Sequence, residues 1–230
     1  MELTGSYRHE LKYQISPADY LALRQRLRAV MKRDTHTGAD GLYTVRSVYF
    51  DNYGDKALRE KINGVQKREK FRIRYYNDDL SFITLEKKIK LNDHCMKLDA
   101  PLTAEEYRRI LQKPGAWMLE HPDGLVRELY CKMKTQQLRP RVLVSYVREP
   151  YIYGAGNVRV TFVSHIRTSL FQREFLDGVI SDICATDTPG DIILEVKFDA
   201  FLPEIIRCLL QSEELRQQAF SKYGSCRRFG

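Results

Sequence analysis

The sequence predicts an α+β fold, an eight-stranded antiparallel β-barrel with helices packed on the outside. Three observations predict it. Several segments alternate charged and apolar residues with a period of two, which in a strand sends the two kinds to opposite faces. In REKFRIRYYN (68–77), Lys70, Arg72 and Arg74 fall on one face and Phe71, Ile73 and Tyr75 between them. About eight such segments occur, mostly joined by tight turns, and eight strands close a barrel just wide enough for side chains or one slender ligand. The intervening segments carry helix caps and single apolar stripes, as a jacket over an apolar outer wall requires.

Tyr7 to Ser16 alternates as a strand, with Arg8, Glu10 and Lys12 on one side and Leu11, Tyr13 and Ile15 on the other. Ser16 as N-cap, Pro17 at the first helical position and Asp19 in the first turn start a helix whose stripe is Tyr20, Leu23, Leu27, Val30 and Met31. Thr35 to Gly41 is a loop, Leu42 to Asn52 a strand, and Asp55 to Ile62 a short helix or turn. Strands follow at Lys67 to Tyr76 and Phe82 to Leu91, joined through Asn77, Asp78 and Asp79, with a fifth at His94 to Ala100. Thr103 and Glu106 form a capping box before Tyr107, Ile110 and Leu111. A helical region covers Leu125 to Leu138. Arg141 to Tyr153 and Val158 to Leu170 make a hairpin across Gly154, Ala155, Gly156 and Asn157. That glycine pair is no phosphate-binding fingerprint, because no helix pattern follows it. Asp191 to Asp199 is the last strand, before a helix beginning at Pro203.

No repeat, linker or low-complexity segment divides the 230 residues, so a single domain over 1–230 is expected. A net charge of +8 favours an anionic partner. Five cysteines without a CxxC pair, and no secretory leader pattern, lead to the expectation of reduced thiols and a cytoplasmic setting. No apolar run approaches the ~20 residues that cross a bilayer, so no direct membrane insertion is expected and any membrane association would pass through a partner protein. The five histidines lack metal-ligand spacing, and Trp117, after Pro114 and Gly115, reads as a packing residue.

A row of like charges on a strand face repels itself unless an anion lies against it. The device recurs: Glu86, Lys88 and Lys90 share a face in LEKKIK, as do Glu195, Lys197 and Asp199 in ILEVKFD. One sheet face is thus suited to core packing and the other to a multiply charged ligand, which makes Lys90 and Lys197 binding candidates on strand-face grounds. No Walker loop GxxxxGK[ST] occurs, so a nucleotide would be held by side chains.

The segments RHELKY (8–13), VRSVYFDN (45–52), ALREKINGV (57–65), REKFRIRYYN (68–77), LEKKIK (85–90), VSYVREPY (144–151), VRVTF (158–162), LEVKFD (194–199) and FSKYGSCR (220–227) run in order over nearly the whole chain. Together they resemble the VTC-type polyphosphate polymerase domains of the triphosphate tunnel metalloenzyme (CYTH-like) superfamily. The resemblance implies a tunnel that binds triphosphate through Arg and Lys, a glutamate on the final strand for Mn²⁺ or Mg²⁺, and transfer of the γ-phosphate of ATP to growing polyphosphate. It implies catalytic roles for Arg72, Arg74, Lys88, Arg148 and Lys222, and Glu195 as metal ligand. Substrate-binding roles are implied for Lys12, Lys61, Lys97, Tyr146, Arg159 and Ser221. Many relatives carry an acid directly after VTF, where this chain has Val163.

Phosphoryl transfer asks a protein mainly for positioning and charge stabilisation, which converging arginines and lysines supply. Two other functions are compatible with the sequence. One is hydrolysis of tripolyphosphate or a nucleoside triphosphate in the same tunnel, favoured if one end is closed. The other is a non-catalytic module that binds polyphosphate or nucleic acid. Nucleic acid is not expected, because the aromatics of 68–77 lie opposite the cations and the RNP1 pattern is absent.

Overall fold

The computed structural model describes residues 8–91, 94–169, 183–184, 190–211, 217 and 220–227. The strands are β1 (His9–Ile15), β2 (Lys32–Arg33), β3 (Tyr43–Asp51), β4 (Lys67–Tyr76), β5 (Asp79–Leu91), β6 (His94–Leu102), β7 (Arg139–Tyr153), β8 (Val158–Ser169), β9 (Ile183–Cys184) and β10 (Ile192–Phe198). The helices are α1 (Pro17–Val30), α2 (Lys56–Ile62), α3 (Ala104–Gln112), α4 (Gly124–Thr135), α5 (Glu204–Leu209) and α6 (Lys222–Cys226). Tyr7 and Leu170, the expected ends of two strands, lie outside the described residues.

All strands belong to one ten-stranded sheet, ordered β1-β10-β8-β7-β3-β4-β5-β6, with β2 beside β7 and β9 beside β8. Every pairing is antiparallel. The expected closed eight-stranded barrel is corrected here: among the described residues β1 and β6 form no ladder, so the sheet stays open between them. The free edge of β1 is met instead at Tyr13 by Gln217. The sheet nevertheless curls, because Lys88 on β5 reaches Glu10 on β1 at 3.8 Å although five strands separate them in the order.

Alternation of side chains divides the core. Phe71, Ile73, Tyr75, Ile83 and Leu85 project from the convex face into a cluster with Tyr107 and Ile110 of α3 and Val126 and Leu129 of α4. Val158, Val160, Phe162, Leu194 and Val196 pack on the same side against Leu23 and Leu27 of α1 and Ile206 of α5. Each side chain so buried contributes roughly 1.5–3 kcal/mol. Ser16 caps α1 as expected, with Asp19 completing a capping box there, and the expected box at Thr103/Glu106 forms at the start of α3. Gly156 turns the β7–β8 hairpin at φ +70°, where a Cβ would lie 2.6 Å from the carbonyl oxygen of Phe201.

A third cluster lies on the concave side. There Tyr223 and Cys226 of α6 pack on Val45, Val142, Val144, Val163, Ile166 and Ile193. Tyr223 donates its hydroxyl to Asp51, and Arg227 forms two bonds to Asp55, of 2.8 and 2.9 Å. The chain's last described helix is therefore anchored on the concave side of the curled sheet, beside Asp51 and Asp55. Among the described residues no helix is long and apolar enough to cross a membrane. Cys131 and Cys208 are free thiols.

Candidate functional site: a cationic concave face

The period of two that buries Phe71 and Ile73 on the convex face turns Lys70, Arg72 and Arg74 inward. Arg72 donates to Glu86 at 2.5 Å and to the Tyr49 hydroxyl at 2.9 Å. Arg74, only 6 % exposed, donates to Ser47 at 3.2 Å and to the Tyr146 hydroxyl at 3.1 Å, with Glu86 3.6 Å away. Tyrosine and serine hydroxyls thus hold both guanidinium groups in fixed orientations while leaving donors to spare. Lys97 completes the set around Glu86 at 3.0 Å.

The second half of the site is built on β1, β7 and β10. Lys12 and Glu195 are cross-strand partners, as are Glu10 and Lys197. Glu195 is 3 % exposed; Lys222 is bonded to it, with Arg148 at 3.6 Å and Lys12 at 4.0 Å. Lys12 also lies 3.4 Å from Glu10, which Lys197 approaches at 3.3 Å. The ammonium of Lys222 and the guanidinium of Arg148 sit over the Tyr146 ring, at 4.8 and 5.4 Å from its centroid.

Nine cations (Lys12, Lys70, Arg72, Arg74, Lys88, Lys97, Arg148, Lys197 and Lys222) thus share this face with three carboxylates, the buried Glu86 and Glu195 and the more exposed Glu10. Burial alone would raise the carboxyl pKa values, but the cations overcome it. Glu10 is held at about 2 by Lys12, Lys197 and Lys88, and Glu86 at about 2 by Arg72, Arg74 and Lys97. Glu195 is held well below the usual carboxylate range by Lys222, Arg148 and Lys12. Two lysines are lowered as well, but by burial: Lys70 and Lys197 come down to about 8. For the buried Tyr146 phenol the surrounding Arg148, Arg74, Lys222 and Arg72 outweigh burial and lower it to about 7. A face with this surplus of positive charge, part of it buried, is suited to an anion with several charges.

Most of the expected residues converge here, and four are placed differently. Arg159 faces the same side but pairs with Asp34 at 2.9 Å, at the margin of the site. The Ser221 hydroxyl accepts the Gly224 amide at 3.2 Å as the N-cap of α6. Lys61 lies beside Gly224 on the helix face turned to α6. Lys90 sits opposite Arg68, further out along β5, and makes no ion pair among the described residues. Glu10 and Tyr49 are site residues the sequence reading did not single out, and Lys70 was placed on the charged face without a role. Parity on β1 and β4 places Glu10 beside Lys12 and Lys70 beside Arg72, so that signal was present for two of them.

Val163 is fully buried and lies directly across from Arg148 in the β7–β8 ladder. Arg148 Nε is buried without a hydrogen-bond partner. The position where many relatives carry an acid is therefore apolar beside an arginine that lacks one acceptor.

The described residues thus form an open antiparallel sheet curled around a cationic concave face. The VTC domain model matches residues 7–229, and the chain belongs to that family. Among solved structures, a candidate adenylate cyclase from Bacillus halodurans is similar at 16% identity and TM-score 0.51, over 90% of this chain and 87% of that one. At that identity the likeness shows the fold. The PH1819 protein of Pyrococcus horikoshii OT3 aligns over 93% of this chain and 95% of its own at 11% identity and TM-score 0.46. The search of curated proteins gives no match.

Proposed function

We propose that this protein is a polyphosphate polymerase-like phosphotransferase that moves the γ-phosphate of ATP onto inorganic polyphosphate. The observation that carries the reading is the surplus of cations over carboxylates on a face that also retains the buried Glu195. A carboxylate there weakens anion binding, and its retention makes sense if it serves a divalent ion.

The residues fit such an ion. Glu10 and Glu195 lie on either side of Lys12 and offer hard oxygen donors, and no larger group of His, Cys, Asp or Glu gathers among the described residues. One or two carboxylates with phosphate and water as further ligands suit Mg²⁺ or Mn²⁺. When bound, the ion would neutralise part of the triphosphate charge and polarise its oxygens. The chain's own residues do the rest. Arg72 and Arg74, oriented by Tyr49, Ser47 and Tyr146, bind phosphate oxygens through paired donors. Arg148, Lys12 and Lys222 release Glu195 and turn to the charge that spreads over the transferred group.

One observation favours a second reading, hydrolysis of tripolyphosphate or a nucleoside triphosphate. Tyr223 and Cys226 of α6 pack on the concave side against Val45, Val142, Val144 and Val163, which narrows the room for a lengthening product. Purified protein given γ-labelled ATP and Mn²⁺, with products resolved on a gel, separates the two. A ladder of long polyphosphate supports transfer, free phosphate alone supports hydrolysis, and no turnover overturns both.

A further inference from the structure

The concave face changes character along β4 and β5. After Lys70, Arg72 and Arg74 the next inward residue of β4 is Tyr76, which packs there with Tyr43 of β3, whereas Phe71 and Tyr75 belong to the convex core. On β5, Thr84 lies opposite Arg74, and Phe82, two residues before it, shares its face while Ile83 enters the convex core. The three rings form one row. Tyr43 and Tyr76 have centroids 5.8 Å apart at an angle of 68°, and Tyr76 and Phe82 6.3 Å apart at 34°. Tyr43 is hydrogen-bonded to Arg148, so the row begins at a cation of the site and ends in solvent.

Phe82, at the end of the row, is 64 % exposed. An aromatic ring left in water, on the face that gathers the arginines of the site, offers a surface to another planar ring. Charge sorts the possible occupants. The β4–β5 turn beside the row carries Asp78 and Asp79, and Arg46 is already paired with Asp78 at 2.6 Å. Asp79 accepts the amide and the hydroxyl of Ser81, each at 2.8 Å. These acids repel a further phosphate, whereas a neutral heteroaromatic ring meets no such penalty. Tyr76 stands two strand residues beyond Arg74, roughly 6–7 Å along β4, a gap that a ribose can bridge.

We propose that Tyr76 and Phe82 form a base subsite, on which the purine of a nucleoside triphosphate stacks while its phosphates lie on Arg74 and Arg148. The assignment rests on the phosphate-binding reading of the inner site and adds to it a contribution from the base that a bare phosphate chain lacks. Stacking reads a π-face and no hydrogen-bond pattern, so adenine and guanine both suit the row.

The test titrates ATP and tripolyphosphate separately into wild type, Phe82→Ser and Phe82→Trp by calorimetry. Because the Phe82 ring is exposed, neither substitution should cost the fold. Phe82→Ser is expected to lose roughly tenfold in ATP affinity while binding tripolyphosphate like wild type, and Phe82→Trp is expected to keep the affinity for ATP. In proton NMR the adenine ring protons should shift upfield on binding to wild type, and by less on binding to Phe82→Ser. Unchanged ATP affinity in Phe82→Ser overturns the base subsite and leaves the inner site intact. Equal losses for both ligands overturn it too, assigning Phe82 to the packing of its own hairpin. If wild type binds neither ligand, the phosphate-binding reading itself fails and takes the base subsite with it.

Discussion

Lys222, the first residue of α6, is ion-paired with Glu195 on β10, so the helix packed on the concave side is tied to a buried carboxylate of the site. Each group is buried, and each relies on the other. Bound phosphate would take over the Lys222 ammonium and release Glu195.

Glu195→Gln keeps the shape and removes the charge, leaving Lys222 without its partner. A broken buried pair costs about 3–5 kcal/mol. The variant is expected to melt at lower temperature than wild type in plain buffer and to recover most of the loss when tripolyphosphate is added. Metal-dependent turnover should vanish while triphosphate binding persists or tightens. A variant that keeps full Mn²⁺-dependent activity would show that the ion is held elsewhere.

Arg72→Ala and Arg74→Ala should each weaken triphosphate binding by ~1.5–3 kcal/mol, the scale of a charge-assisted hydrogen bond. ATP, GTP and tripolyphosphate should compete for one site, because the handle is phosphate. Calorimetry giving wild-type affinity in both variants would remove β4 from the site.

Lys70 and Lys197 titrate at about 8 in the folded protein and at the ordinary 10.5 when unfolded. Between those values the unfolded chain binds more protons, so these lysines make stability rise with pH across the window. Affinity for a polyanion should fall over the same window as their charge is lost. Melting temperature and triphosphate affinity measured from pH 7.5 upward, about half a unit below the folded pKa, should therefore move in opposite directions. In Lys70→Met both slopes should shrink; unchanged slopes would show that Lys70 titrates as in water.

Tyr146 titrates at about 7 because cations surround its phenol. A bound triphosphate would compete for those cations and raise the phenol pKa, so binding at neutral pH should take up protons and reduce tyrosinate absorbance. Tyr146→Phe should abolish the signal. An absorbance change of equal size in that variant would assign it to another tyrosine.

Val163→Asp would place a carboxylate opposite Arg148, whose Nε lacks an acceptor. A double-mutant cycle with Arg148→Met should give a coupling of about 1.5–3 kcal/mol in stability. Coupling near zero would mean that the aspartate turns away from the guanidinium.

Strand parity in 68–77, 85–90 and 194–199 made the inward cations and Glu195 legible, because a period of two fixes the face of every residue at once. Parity says nothing about which strands become neighbours or how far a sheet curls. The contact of Glu10 with Lys88 was therefore hidden, and so was the open seam between β1 and β6. β2 is two residues long, too short to show a period. α6 holds only KYGSC, with a glycine inside and no apolar stripe. It owes its place to Tyr223 on Asp51 and Arg227 on Asp55, tertiary bonds that local sequence does not announce.

Those same bonds join residues 172 positions apart, and Lys12 reaches the Phe220 carbonyl across 208. Closing such long loops is slow, and chains rich in distant pairings fold late in these regions. The site combines residues from β1 with residues of α6, so it can be completed only after nearly all of this sequence has emerged from the ribosome. A nascent chain would carry the β4 arginines early, yet would lack the assembled pocket that could trap nucleotide during synthesis.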